Sequence, residues 1–456
     1  MSAPMLRLAA GAALGDEAPR LDALLEACQE GERALRQGAS ADGSGFGWIS
    51  LPYADPTPLE EAGAWLSSFD TVVQIGIGGS ALGNLMLHNA LLHPNHNELP
   101  RERRGGPRFY MADNVDPRDL AGIWDLVDPA RTALVAASKS GSTAETMANF
   151  LWLLDRMTAA LGEKEALARL LVLTDPEQGT FRAFVRETGC RSLPIPSSVG
   201  GRYSVLSAVG LAAAAALGIP IRELLAGAQA MDQEIQRRQG HVRNNPAWLL
   251  AGLSYLHSSR GRNMTVLMPY ADGLRDFSEW FAQLWGESLG KEGKGSTPVR
   301  ALGAIDQHSQ IQLYTSGPDD KLYTILNVGE HTPRAAVPPS PFSSLKSLAY
   351  LEGKDLGEIL RVEARATAAS LVQAGRPVIW AEIPKLDAYR LGGLVYLFEF
   401  ATALTGFLFD VEPFDQPGVE QGKKYIYGLL GRSAFVEAAA QVEEHAASME
   451  TLSLEC

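Results

Sequence analysis

Between Thr71 and Ile195, five short apolar and β-branched runs alternate with helical patterns, and this alternation constrains the fold more than any other feature. The runs are Thr71–Ile77, Arg108–Ala112, Ala133–Ala137, Leu170–Leu173 and Arg191–Ile195; Leu82–Leu92 and Thr143–Leu161 are among the helical stretches between them. Strands separated by helices cannot pair as hairpins, so they form a parallel sheet with helices on both faces. The pattern returns with strands at Asn263–Met268, Leu322–Val328 and Pro377–Ile383 and a helix at Asp276–Leu289. Leu21, Leu24, Leu25 and Cys28 repeat at helical spacing, and the chain after Phe414 reads as helical to Cys456. With 456 residues the chain exceeds one ordinary core. The expectation is an α/β protein of two stacked domains with a boundary near residues 215–240: an N-terminal helical segment (1–50), a first domain (51–220), a second (221–412) and a C-terminal helical arm (413–456). No low-complexity linker or short repeat interrupts it.

The net charge of −13 argues against a nucleic-acid or acidic-membrane partner, which would need basic faces. A phosphorylated ligand would therefore need local positive groups inside a cleft. Cys28, Cys190 and Cys456 form neither metal-type spacing nor a disulfide framework, which fits a reducing cytoplasm. The uncharged stretch between Arg202 and Arg222 is interrupted by Gly210, Gly218 and Pro220 and reads as a buried helix; Leu391–Phe409 is similar and carries Glu399. Leu8–Leu14 is too short and glycine-rich for a signal sequence, so a cytosolic protein is expected.

Five segments carry chemistry. Ser198–Leu211 puts Arg202 after Gly200 and Gly201 and before an apolar helix, where a guanidinium suits an anion or oxyanion; an ordinary Gly-Gly turn reads equally well. Gly76–Gly83, including Gly79 and Ser80, follows a strand and opens a helix. It resembles a dinucleotide fingerprint but lacks the acidic residue about twenty positions on, since His93–Pro107 is a polar loop. Ser138–Thr146 packs Ser138, Ser140, Ser142, Thr143 and Thr146 around Gly141 at a helix start: a phosphate cradle, a Ser142–Glu145 capping box, or both. Gln283 and Glu287 lie one helical turn apart in Trp280–Lys291. His308, in Gly303–Gln310, has no metal-type partner, and His93 and His96 lie in the polar loop.

Taken in order with Phe414–Lys424, these segments resemble the glucose-6-phosphate isomerase family over roughly residues 45–430. The resemblance implies two sugar-isomerase-type (SIS) domains, each three-layered αβα with a parallel-type sheet, plus the helical arm. It implies reversible glucose 6-phosphate and fructose 6-phosphate isomerisation, in glycolysis and gluconeogenesis, through a cis-enediolate. By position, Glu287 matches the family's base and Gln283 a substrate contact. Gly79, Ser80, Ser138, Ser140 and Thr143 match the phosphate grip, Arg202 the oxyanion partner, and Gln416 a phosphate-side contact. His308, from a neighbouring subunit, and Lys423 match the ring-opening residues. A homodimer with shared sites follows from the same likeness. Position 417 is Pro where some members carry Trp, an expected change in packing rather than chemistry, and the N-terminal region is shorter than in longer members.

A proton moved between adjacent carbons implies no metal and no redox cofactor. Two other classes remain open at this point. A phosphosugar sensor would keep the Ser138–Thr143 loop but has no need of Glu287, Arg202 and Lys423, and an NAD-linked dehydrogenase would use the glycine loop. Side activity on mannose 6-phosphate, which differs only at C2, is also open.

Overall fold

A computed structural model describes residues 5–41, 44–449 and 454 of the chain; the expectation made for Cys456 lies outside them. The chain divides into two compact units, ending and beginning at Pro413 and Phe414. In the first unit the strands are β1 (Arg7–Ala9), β2 (Thr71–Ile75), β3 (Arg108–Ala112), β4 (Thr132–Ala137), β5 (Leu170–Thr174), β6 (Arg191–Pro194), β7 (Met264–Pro269), β8 (Thr297–Arg300), β9 (Lys321–Glu330) and β10 (Val378–Lys385). They make two five-stranded sheets, ordered β3-β2-β4-β5-β6 and β1-β10-β9-β7-β8. Every pairing is parallel except β1 on β10.

The first sheet shows why its strands are apolar throughout. Val72, Val135, Leu171 and Leu173 pack on one face against Leu66 and the Ala208–Leu217 segment. Their alternates Val73, Ile75, Leu134, Ala136 and Val172 pack on the other, against Phe150, Leu153, Met157 and Phe181. Both faces are covered, so the period-two signal vanishes and the strands read as apolar runs. On the second sheet Val266, Met268, Tyr323 and Ile325 pack with Ala364 and Leu371 of the Leu356–Gln373 helix. The architecture is mixed α/β on parallel sheets, as expected.

Two strands lie outside the sequence reading. β8 carries Pro298 and sits at a sheet edge, where a missing N–H is tolerated but where proline masks the strand pattern. β1 joins the opposite edge from within the segment read as helical, pairing Leu8 with Ala381. The polar loop His93–Pro107 also differs from expectation: His96 is buried, with Nε2 2.9 Å from the Pro107 carbonyl oxygen.

The Ala388–Phe409 helix is long and apolar enough to cross a membrane, but it lies almost wholly inside the protein. It meets the Ile221–Arg237 helix backbone to backbone. A Cβ on Gly227 would fall 1.7 Å from the Tyr389 carbonyl oxygen, and one on Gly392 would fall 1.9 Å from that of Leu224. At the same crossing, Asp232 accepts from Tyr396, Tyr53, Gln236 and Arg36 at 2.6–2.9 Å, so this buried charge is fully hydrogen-bonded.

The second unit is a pair of helices, Pro417–Leu429 and Val436–Met449. Tyr427 and Phe435 close it with ring centroids 5.3 Å apart, and Arg432 lies over both rings.

Because neither helix can retreat at the glycine crossing, Gly227→Ala or Gly392→Ala should destabilise the protein by about 2 kcal/mol or more. Gly240→Ala, where an added Cβ meets nothing within 4 Å, should leave the melting temperature unchanged. Thermal melts of the three variants check this; equal melting temperatures would refute the packing argument.

Candidate active site

β2 and β4 are neighbours, yet the chain leaves β2 toward β3 on one side and returns to β4 on the other. In an open parallel sheet, the crevice beyond the carboxyl ends of two such strands receives ligand. Two of the motif loops sit there: Gly76–Ala81 follows β2, and Ser138–Thr143 follows β4.

The first loop is glycine-rich because other backbone presses on it. A Cβ on Gly79 would lie 2.2 Å from the Gly201 carbonyl carbon and oxygen, so the Gly78–Ser80 and Gly201–Tyr203 turns touch directly. Ser204 Oγ donates to the carbonyls of both Gly201 and Gly79, at 2.7 and 3.3 Å. Gly78 holds φ +57°, and a Cβ there would fall 2.8 Å from Gln283 Nε2. The glycine loop thereby meets the Arg275–Leu289 helix at its candidate substrate contact.

On that helix Gln283 Nε2 donates to Glu287 Oε1 at 3.1 Å, the one-turn pairing expected from their spacing. Arg202 Nη1 donates to Glu287 Oε2 at 3.3 Å. The Glu287 side chain is 27% exposed while that of Arg202 is 3% exposed. The carboxylate is therefore oriented at both oxygens yet open to an incoming molecule.

Arg202 does not stand at a helix mouth as its sequence position suggests. The apolar helix starts at Ala208, capped by the Ser207 hydroxyl, and the guanidinium reaches instead to the end of the Glu287 helix. Besides Glu287, it donates through Nε to Ser288 Oγ at 2.8 Å and through Nη2 to the Pro413 carbonyl at 2.6 Å. Ser288 and Tyr203, whose hydroxyls lie 3.2 Å apart in the core, were not legible as site residues. Only their adjacency to Glu287 and Arg202 hinted at them.

In the second loop the Ser142–Glu145 capping box is not the helix start. The helix is Ala144–Leu161 with Thr143 at the N-cap, one residue later, and Thr143 makes no side-chain cap bond. The hydroxyls close the loop on itself instead. Ser138 Oγ accepts from the Gly141 N–H at 3.0 Å, and Ser140 Oγ accepts from the Ser142 hydroxyl at 3.0 Å. Gly141 must be glycine, with φ +59° and the Phe181 nitrogen 2.4 Å from where a Cβ would be. An 18-residue helix thus presents its N-terminal amides without a side-chain cap, flanked by hydroxyls, in the crevice.

Lys139 stitches this loop to its neighbours, a role the sequence did not reveal. Its Nζ donates to the carbonyls of Ser197 and Val199, just ahead of the Arg202 turn. Its carbonyl accepts from Thr174 Oγ1 and the Asp175 N–H. Burial pulls the Lys139 pKa below the usual lysine range, against the opposing field of Asp175.

The remaining predicted residues are His308 in the first unit and Gln416 and Lys423 in the second. His308 is exposed after β8, and among the described residues its ring makes no hydrogen bond. In the second unit, Gln416 is the N-cap position of the Pro417–Leu429 helix and Lys423 pairs with Glu420 at 2.6 Å. Among the described residues, no three His, Cys, Asp or Glu side chains converge to hold a metal ion.

Set beside known proteins, residues 60–306 and 345–453 match the phosphoglucose isomerase family. A glucose-6-phosphate isomerase of Carboxydothermus hydrogenoformans is 43% identical over 87% of this chain and 87% of its own length. One from Rubrobacter xylanophilus is 47% identical over 80% and 83%. Among solved structures, a hypothetical protein of Thermus thermophilus superposes with a TM-score of 0.85 at 35% identity, covering 93% of this chain and all of that one. A Chlamydia trachomatis glucose-6-phosphate isomerase, at 21% identity, shares the fold with a TM-score of 0.78 over 98% and 92%. With the family's motifs in order and relatives this close along most of its length, the chain belongs to the phosphoglucose isomerase family.

Proposed function

We propose that this protein is a glucose-6-phosphate isomerase that interconverts glucose 6-phosphate and fructose 6-phosphate, with Glu287 as the base. The activity is that of its relatives. The observation that carries the site assignment is the Glu287 carboxylate, held by Gln283 at one oxygen and Arg202 at the other while a quarter of its side chain stays open.

The reaction moves one proton between C1 and C2 while the carbonyl changes place. A single carboxylate suffices if it removes the proton from one carbon and returns it to the other. The two carbons share one face of a cis-enediolate, so the base need not move far. Negative charge develops on the enediolate oxygens, and the Arg202 guanidinium beside Glu287 is already fixed and desolvated for it. Gln283 Oε1, buried and without a hydrogen-bond partner, is a ready acceptor for a sugar hydroxyl.

The phosphate is assigned to the crevice between β2 and β4, held by Ser138, Ser140, Thr143 and the amides at the start of the Ala144–Leu161 helix, with Gly79 and Ser80 opposite. For ring opening, His308 and Lys423 are the proton-moving pair, and Gln416 is a phosphate-side contact; the motifs alone support these three. The open, unbonded ring of His308 suits a residue donated to the neighbouring subunit's site, and with it a homodimer. The pathway context is glycolysis and gluconeogenesis in the cytoplasm. Mechanistically, proton transfer of this kind calls for no metal and no redox cofactor. The four-part division at residues 50, 220 and 412 remains our proposal for the domains.

Three outcomes are expected. EDTA-treated protein added to fructose 6-phosphate should produce glucose 6-phosphate, followed through a coupled dehydrogenase. A folded protein that binds the sugar phosphate without turnover would make it a sensor and withdraw the catalytic roles. Glu287→Gln should lower kcat by about 10²- to 10⁴-fold with an unchanged melting temperature, as for a positioned base; near-normal turnover would sink the assignment. Thr143→Ala should raise KM about tenfold with little change in kcat, because phosphate grip is uniform binding. A fall in kcat at constant KM would contradict the phosphate role.

A further inference from the structure

Three cations converge on four consecutive residues at the end of the Ala388–Phe409 helix. Lys294 Nζ donates to the Asp410 carbonyl at 3.1 Å, Lys291 Nζ to the Glu412 carbonyl, and Arg202 Nη2 to the Pro413 carbonyl at 2.6 Å. The strap they hold is compact. Asp410 ends the helix at φ +54°, and the Val411 N–H donates to the Gly406 carbonyl at 3.0 Å. A Cβ on Gly406 would meet that of Pro413 at 2.7 Å, so the proline lies hard against the helix.

The two lysines come from the turn that follows the Glu287 helix. The Lys291 N–H donates to the Leu289 carbonyl at 2.9 Å, and the Lys294 N–H to the Lys291 carbonyl at 2.8 Å. A Cβ on Gly295 would lie 2.5 Å from the Leu289 oxygen, which shows how tightly the turn folds onto the last helical residues. Lys291 is four residues beyond Glu287.

We propose that Lys291, backed by Lys294, is a positioning residue for Arg202. By tying the Glu412 carbonyl to the end of the Glu287 helix, it sets the adjacent Pro413 carbonyl. The guanidinium is a rigid plane, held at Nε by Ser288 and at Nη2 by Pro413, so Nη1 is left aimed at Glu287. If the Pro413 carbonyl drifts, the plane pivots about the Ser288 bond and Nη1 swings away from its place. A neutral carbonyl also orients the guanidinium without cancelling its charge. The inference rests on the role proposed above for Arg202 beside Glu287.

The test is a double-mutant cycle. Lys291→Met keeps the aliphatic stem and removes the ammonium; Lys291→Arg restores a cationic donor. Wild-type turnover is measured first, and its absence would overturn the isomerase reading and this inference with it. Given turnover, Lys291→Met should lower kcat by about 10- to 100-fold, the scale of an ångström-level misplacement, with KM for fructose 6-phosphate within about twofold. Its melting temperature should stay near wild type, and Lys291→Arg should recover most of the loss. Inhibition by a five-carbon sugar-acid 5-phosphate, whose carboxylate mimics the enediolate, should weaken in parallel with kcat. Inhibition by sorbitol 6-phosphate, which offers the phosphate and hydroxyls but no enediolate-like anion, should not change. In an Arg202→Lys background, Lys291→Met should cost less than about threefold more, because both changes disturb one guanidinium. An unchanged kcat in Lys291→Met, or the same full loss in both backgrounds, would overturn the inference.

Discussion

A guanidinium taken out of water must have its donors met by protein, and Arg202 meets this requirement by joining segments far apart in sequence. It reaches 85 residues to Glu287 and 211 residues to Pro413. Leaving such a cation unpaired would cost several kcal/mol, so the turn at Gly201–Tyr203, the end of the Glu287 helix and the strap at 410–413 are held to one arrangement. Tyr203 reinforces it from behind: its hydroxyl meets Ser288, and its ring stacks on Trp48 at 5.2 Å. Reactive geometry and core packing are therefore continuous here. The side chains that aim the proposed base and its cation are anchored in the interior of the protein.

Topology supplies the other half of the site. The reversal of strand order between β2 and β4 opens a crevice where their two following loops emerge side by side. What makes it a specific cradle is glycine at points where backbone meets backbone or a neighbouring amide. Gly79 against Gly201, Gly78 against Gln283 and Gly141 against Phe181 each bring elements closer than a Cβ would permit. The three contacts link the loop after β2 to the arginine turn and the Glu287 helix, and the loop after β4 to the Thr180–Thr188 helix. Lys139, which donates to the Ser197 and Val199 carbonyls, joins the loop after β4 to the segment ahead of the arginine turn, so the proposed phosphate and proton-transfer residues share one connected frame.

How much of this the chain shows before folding depends on the range of the interaction. Alternating apolar runs located β2 to β6 within a residue or two, because a strand buried on both faces declares itself locally. The Gln283–Glu287 pair was legible because helical spacing alone puts them on one face. The Thr143 N-cap was missed by one position: Ser and Thr are both good caps, and local sequence does not decide between Ser142 and Thr143. Arg202 was placed at a helix mouth because its neighbours in sequence suggest one, whereas its real partners are 85 or more residues away. β1 and β8 are edge strands of three and four residues, too short for periodicity to register.

An acidic chain that takes up a phosphorylated sugar must keep positive potential where the sugar lies, and the choice of partners shows how. On the outer surface, arginines such as Arg222, Arg237 and Arg243 pair with carboxylates, Glu60, Glu234 and Asp22, so their charges cancel. Around the candidate site, cations are anchored mainly on backbone carbonyls: Lys139 on Ser197 and Val199, Lys291 on Glu412, Lys294 on Asp410, Arg202 on Pro413. A carbonyl fixes a cation through its dipole and adds no formal charge of its own. Carboxylates take part as well: Lys294 pairs with Glu292 at 3.5 Å, and Arg202 donates to Glu287, which joins the proposed base to its proposed oxyanion partner. A net charge of −13 is compatible with a phosphorylated ligand when cations such as Lys139 are positioned in part by carbonyl dipoles rather than by carboxylates alone.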